Sequence, residues 1–195
     1  IYMRGQARDY DAWAALTGDA SWRWDHCLPY FKQHEDHWKG ADALHAAPGF
    51  DPTGERSGGE WRVERQRLSW EILDAFAKAA QEAGIPATAD FNRGDNEGVG
   101  YFEVNQRNGV RWNAAKGFLR PVTERDNLQV WTGAPVSRLL FEDGPDGRPR
   151  ACGVEVQPVG GGAPVQARCR GEVVLAAGAI GTPQLLQLSG IGPGD

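Results

Sequence analysis

The chain has 195 residues, 41% of them hydrophobic, and a formal net charge of −5 at pH 7, enough to bury one good core and to form one domain or slightly more. Its charges are scattered in sign, which excludes the basic face of a nucleic-acid binder, and no apolar run approaches the length of a membrane span. Three cysteines, Cys27, Cys152 and Cys169, show no Cys-x-x-Cys spacing and read as free thiols of a reducing compartment, so a cytoplasmic location is expected.

In chain order, Tyr10, Trp13 and Ala14 carry helical spacing over Asp9 to Leu16, ended by Gly18. A second helix is predicted after Ser21, through Leu28, Tyr30 and Phe31, with Pro29 disturbing its middle. His34-Glu35-Asp36-His37 places two histidines on one helix face. Without a distant third ligand or a His-Glu-x-x-His pattern it reads as a solvated helix end, so no metal is expected. His26 and His45 stand alone. Residues 39–59, rich in glycine and proline, form a long loop.

Glu60 to Glu64 alternates as a strand, and the nearby Arg62, Arg65 and Arg67, interrupted by Glu64, read as a solvated face. Ser69 is the expected cap of an amphipathic helix with Ile72, Leu73, Phe76, Ala79 and Ala80 on one face, stopped at Gly84. Gly100 to Gln106 alternates as a strand, and Asn108-Gly109 signals a two-residue hairpin toward Val110 and Trp112. Asn113 is placed to cap a helix from Ala114 to Leu119, closed by Pro121. Short strands follow at 128–131, 136–141, 153–157 and 165–169, punctuated by Asp143-Gly144-Pro145-Asp146-Gly147 and Gly160-Gly161-Gly162, as in a β-meander.

The most informative stretch is residues 173–192. Val173-Val174-Leu175 reads as a buried strand, Ala176-Ala177-Gly178 as a tight turn of small residues, and Thr182-Pro183 as a helix start. The helix would present Leu185, Leu186 and Leu188 and stop at Gly190. A strand, a glycine turn and a helix start together allow a nucleotide or anion site, although an ordinary β-turn-α unit of a core looks the same. Ser189-Gly190 lies at a helix C-terminus and is no nucleophile elbow.

Gly178-Ala179-x-x-Thr182-Pro183-x-Leu185-Leu186-x-x-Ser189-Gly190-Ile191-Gly192 resembles the second signature of the glucose-methanol-choline (GMC) flavoprotein oxidoreductases, with every constrained position occupied. Tyr2-x-x-Gly5 with Asp11 resembles the tail of the first signature. Residues 4–13, 24–32 and 114–119 resemble the choline and alcohol dehydrogenase branch. The resemblance implies a mixed α/β fold: part of an FAD-binding Rossmann-like domain with a β-meander, interleaved with part of a substrate-binding domain. The implied segments are 1–58 (flavin side, with a lid or interface loop), 59–126 (substrate side) and 127–195 (flavin side).

It further implies FAD as cofactor and a small-molecule alcohol as substrate, with hydride passing from the alcohol carbon to the flavin. Ile1 and Tyr2 would lie beside the flavin ring and diphosphate, Val136 would hold the adenine through its backbone, and Ala177 and Gly178 would pack beside the adenosine half. The family's diphosphate-binding Gly-x-Gly-x-x-Gly turn and its catalytic His pair are not among these residues. An internal fragment, inactive alone, is therefore expected. The alternative is a non-catalytic flavin-domain relic or binding module. A nicotinamide-dependent enzyme is disfavoured, because no Gly-x-Gly-x-x-Gly follows any strand.

Overall fold

The computed structural model describes residues 1–47 and 59–193, and the predicted loop at 39–59 lies partly outside them. Helices and small sheets alternate, in a mixed α/β arrangement of two compact units, Ile1–Leu128 and Gln129–Asp195.

The first unit opens with an extended segment, residues 1–5, followed by helix α1 (Ala7–Thr17), which ends on a left-handed Gly18. Asp11 of α1 accepts from the Trp24 backbone N–H at 3.1 Å and so helps start helix α2 (Trp24–His34). The two helices meet through a ring cluster in which Tyr10 packs against Trp13, Trp24 and Phe31 at centroid distances of 5.4–5.9 Å.

Chain direction then changes at Glu35. Strand β1 (Glu35–His37) runs parallel to β2 (Trp61–Arg65), which pairs antiparallel with β3 (Glu103–Val104). Three consecutive polar residues are poor strand formers alone, and the solvated helix end expected here is not what forms. All three are buried, because their side chains find partners in the surrounding elements. Helix α3 (Glu71–Glu82) starts from an extended Trp70 rather than from a Ser69 cap. Its apolar face stays open among the described residues, with Ile72 70% and Phe76 67% exposed.

The predicted strand 100–106 is broken into β3 and β4 (Gln106–Arg107). β4 pairs with β5 (Val110–Arg111) across Asn108 (φ 52°) and Gly109 (φ 80°), the doubly left-handed turn expected of Asn-Gly. Asn113 accepts from the Lys116 N–H at 3.0 Å and caps a π-helical turn, Ala115–Leu119. The chain passes through Pro121 in a 3₁₀ turn instead of stopping there, since proline's missing N–H costs nothing in a first turn.

The second unit is an antiparallel meander, β6 (Val136–Asp143), β7 (Pro149–Val156) and β8 (Val165–Arg168), followed by helix α4 (Gly178–Leu188). Leu139, Leu140, Cys152 and Val156 form its buried core. The cysteines are free thiols, and the Cys169 N–H donates to the Cys152 carbonyl at 2.9 Å across β7 and β8. Ser189 ties α4 to β6, its hydroxyl accepting from the Leu139 N–H at 2.8 Å while donating to the Leu185 carbonyl at 2.6 Å.

Two predicted strands, 128–131 and 173–175, do not form. Strand geometry needs a ladder partner, and none of the described strands pairs with either; Trp131 is 54% and Val174 82% exposed. Helix α4 also begins four residues before Thr182. The Thr182 hydroxyl accepts from the Ala177 N–H at 3.1 Å, capping the helix from inside its first turns, and Pro183 is carried within it.

Candidate functional site

Tyr2 and Arg4 point inward from the extended N-terminal segment (7% and 3% exposed), while Ile1 and Met3 point outward (76% and 42%). The segment is pinned at both ends: the Tyr2 N–H donates to the Glu103 carbonyl and the Arg4 N–H to the Asn92 side chain, each at 2.7 Å. Glu35 of β1 receives the inward side chains. Its Oε1 accepts from the Tyr2 hydroxyl and from the Arg4 guanidinium. Its Oε2 accepts from the Ala46 N–H at 2.9 Å and lies 3.4 Å from His45 Nδ1.

From His45 the network continues to Asp90 at 2.8 Å. The His45 ring stacks on His37 (centroids 4.0 Å apart, planes 18° from parallel), and His37 Nε2 lies 3.1 Å from Glu103, which also accepts from the Trp38 indole N–H at 2.8 Å. Asp36, beside them in β1, accepts from Arg62 at 3.0 Å and Arg107 at 2.9 Å. Arg62 is therefore no part of a solvated face, and His45 does not stand alone.

Charge balance sets the protonation of this network. Burial would drive the Glu35 carboxyl up, but His45, Arg4 and Tyr2 bond its charged form and hold it at about 2. Burial likewise opposes charge on His45, yet Asp90 and Glu35 lift its pKa to about 9, so the ring is an imidazolium bridging two carboxylates. Asp90 falls to about 2 against its own burial, chiefly through the His45 bond. Burial, reinforced by Glu35, pushes the Tyr2 phenol up, and it stays protonated as a donor.

His37, His45 and Glu103 bring potential ligand atoms within 4.8 Å of one another. The geometry does not suit an ion. The two rings stack face to face, 4.0 Å apart and 18° from parallel, rather than fanning around a common point as the ligands of a tetrahedral ion do. His45 Nε2 faces Asp90, and His37 Nδ1 accepts from the Lys39 N–H at 3.3 Å. Hydrogen bonds account for the cluster.

Two cavities lie near the residues predicted to hold a cofactor. In the first unit, Ile1 borders a cavity of about 460 Å³ with Trp61, Asn105, Gln106, Arg111 and Trp112. Tyr2 reaches no such surface, its hydroxyl being turned onto Glu35. In the second unit, Val136 and Ala177 line one apolar cavity of about 420 Å³ with Val154, Val173, Leu175 and Leu185. Gly178 has φ +81°, and a Cβ added there would meet no atom within 4 Å, so the turn is open to a partner. Both volumes fall in the usual range for small-molecule sites.

The family model for GMC oxidoreductases matches residues 1–195. The chain belongs to the GMC oxidoreductase family. Human mitochondrial choline dehydrogenase is 39% identical over the whole chain, which spans 30% of that protein. Pyridoxine 4-oxidase from Mesorbium loti superposes with a TM-score of 0.79 at 34% identity, over 98% of this chain and 35% of that one. An FAD-dependent oxidoreductase from Chaetomium thermophilum gives a TM-score of 0.79 at 32% identity, over 99% and 33%. The chain thus spans about a third of each GMC protein it resembles. The Glu35–His45–Asp90 network was not visible in the sequence. Its one local signal was the run Glu35-Asp36-His37 directly after a helix, too polar to be buried without partners that lie up to 71 residues away.

Proposed function

We propose that this chain supplies cofactor-binding and substrate-side surfaces of an FAD-dependent oxidoreductase that oxidises an alcohol to an aldehyde or ketone. The observation that carries the reading is the meeting of Val136 and Ala177, 41 positions apart in sequence, on one apolar cavity beside an unobstructed glycine turn. Val136, Ala177 and Gly178 would hold the adenosine half of FAD, the valine through backbone groups and the turn through close approach. Ile1 would border the flavin end, with Tyr2 buried behind it. Segments 1–58 and 127–195 are the flavin side and 59–126 the substrate side. Bound FAD supplies the hydride acceptor; the residues here bind, orient and exclude water.

None of the four histidines lines either cavity. His37 and His45 are committed to carboxylates, His26 Nδ1 lies 2.8 Å from the Ala20 carbonyl oxygen, and His34 packs against Phe31 and Phe118. No histidine among the described residues is therefore placed at either cavity to take the hydroxyl proton, which supports the reading that residues 1–195 are inactive alone. Similarity to choline dehydrogenase and pyridoxine 4-oxidase supports a primary alcohol on a small polar molecule as the substrate class. The test is titration of the natural full-length protein with FAD, comparing wild type with Val136→Asp and Gly178→Val. At least tenfold weaker binding in both variants is expected. Wild-type affinity in both, or turnover of a primary alcohol by residues 1–195 alone, overturns the reading.

A further inference from the structure

The N-terminal segment has two faces with different fates. Ile1 borders the cavity, while the alternate residues Tyr2 and Arg4 are drawn inward onto a single carboxylate, Glu35. Glu35 is fixed in turn from its other oxygen by the Ala46 N–H and His45, and His45 is fixed by Asp90. The cavity wall at Ile1 is thus referred through two side chains to a largely buried charged network that lies outside the cavity lining.

We propose that Glu35 and His45 are positioning residues for the cofactor-binding segment: through Tyr2 and Arg4 they set where Ile1 stands against the flavin. This rests on the functional reading above, in which Ile1 borders the flavin. The physical basis is that a hydrogen-bonded, desolvated ion network has one low-energy geometry, whereas a segment held by its backbone bonds, by Asn92 and Asn96 on its carbonyls and by Arg4 on the Leu44 and Asn92 carbonyls keeps more freedom to twist at Tyr2. Tyr2 is the coupling point: its N–H is bonded to Glu103 and its hydroxyl to Glu35, so the peptide adjoining Ile1 is held from both ends of one residue.

The experiment uses the full-length, FAD-loaded protein and four variants: Tyr2→Phe, His45→Gln, Glu35→Gln and Glu35→Asp. FAD dissociation constants and the visible absorption and fluorescence of the bound flavin are measured alongside melting. Ala14→Gly in α1 serves as a reference that lowers stability without touching the network. Tyr2→Phe and His45→Gln are expected to weaken FAD binding at least fivefold and to shift the flavin bands. Glu35→Asp should recover part of what Glu35→Gln loses, and Ala14→Gly should melt earlier with an unchanged spectrum. Wild-type FAD affinity and spectrum in Tyr2→Phe and His45→Gln overturn the inference. Equal spectral change in Ala14→Gly also overturns it, since the effect would then be general loosening. A wild-type protein that binds no FAD overturns the functional reading and this inference together.

Discussion

His45 Nε2 stands 2.8 Å from Asp90 Oδ2, and its other nitrogen stands 3.4 Å from Glu35, so one imidazolium closes a bridge between two carboxylates 55 positions apart. The fold here is held by charge in a desolvated setting.

A pH dependence with a definite sign follows. His45 has its pKa raised from 6.5 to about 9, so the folded state binds the proton more tightly. Its contribution to stability is complete below about 6.5, declines as pH rises and is gone above about 9. Glu35 and Asp90 have pKa values lowered from 4.5 and 3.8 to about 2, so their contributions are present above those ordinary values and vanish as pH falls toward 2. Stability should therefore plateau between about pH 4.5 and 6.5. Urea unfolding at a series of pH values checks this. In His45→Gln the decline between pH 7 and 9 should disappear; an unchanged alkaline limb would show that the ring does not carry the charge.

Removing both partners of the Arg4–Glu35 pair should cost less than the two single removals added together. Both side chains are fully buried, and Glu35→Gln leaves the Arg4 guanidinium facing a neutral amide. A loss of about 3–5 kcal/mol is expected for breaking such a pair from one side. Arg4→Met with Glu35→Leu should cost less than the sum of the two single changes, because the uncompensated charge is gone. A double-mutant cycle measures the difference, and strict additivity would rule out the coupling.

Gly100 keeps the Asp90 loop in place by leaving room for it. A Cβ at position 100 would stand 2.1 Å from the Thr88 carbonyl oxygen, where residues 86–88 and 99 exchange two backbone hydrogen bonds of 2.9 Å. Gly100→Ala must push those two segments apart, at an expected cost of about 1–3 kcal/mol. The displacement also pulls Asp90 from His45, so the alkaline limb of the pH profile should flatten in this variant. A stable Gly100→Ala protein with the full profile would contradict the packing argument.

What the sequence revealed and what it hid divide on a physical line. Elements whose partners lie close along the chain were legible: α1 to Gly18, the Asn108-Gly109 hairpin, and the meander from Val136. Elements decided by distant partners were not. Glu35-Asp36-His37 became a buried strand because Arg4, Arg62, Arg107 and Glu103 arrive from elsewhere, and no local pattern announces that. The reverse error has the same cause: Val173-Val174-Leu175 has strand character but no strand alongside it among the described residues. Of the predicted cofactor residues, Val136 and Ala177 share a cavity and Ile1 borders another, an arrangement that family resemblance suggested and that spacing alone could not.

The open face of α3 makes a prediction about the 195-residue chain in isolation. Ile72 and Phe76 lie one helical turn apart, 70% and 67% exposed, with Leu68 (70%) and Trp70 (60%) just before them. Four large apolar side chains close together form the kind of patch that drives self-association. The isolated chain should aggregate and bind a hydrophobic dye strongly. Ile72→Glu with Phe76→Lys replaces the patch with an i, i+4 charge pair on an exposed helix, worth about 0.3–0.5 kcal/mol to the helix rather than costing it. The double variant should be monodisperse by light scattering, bind several-fold less dye and keep its melting temperature within a few degrees. Wild-type chain that is already monodisperse at the same concentration would refute the argument. A double variant that unfolds would show instead that this face is covered within the chain.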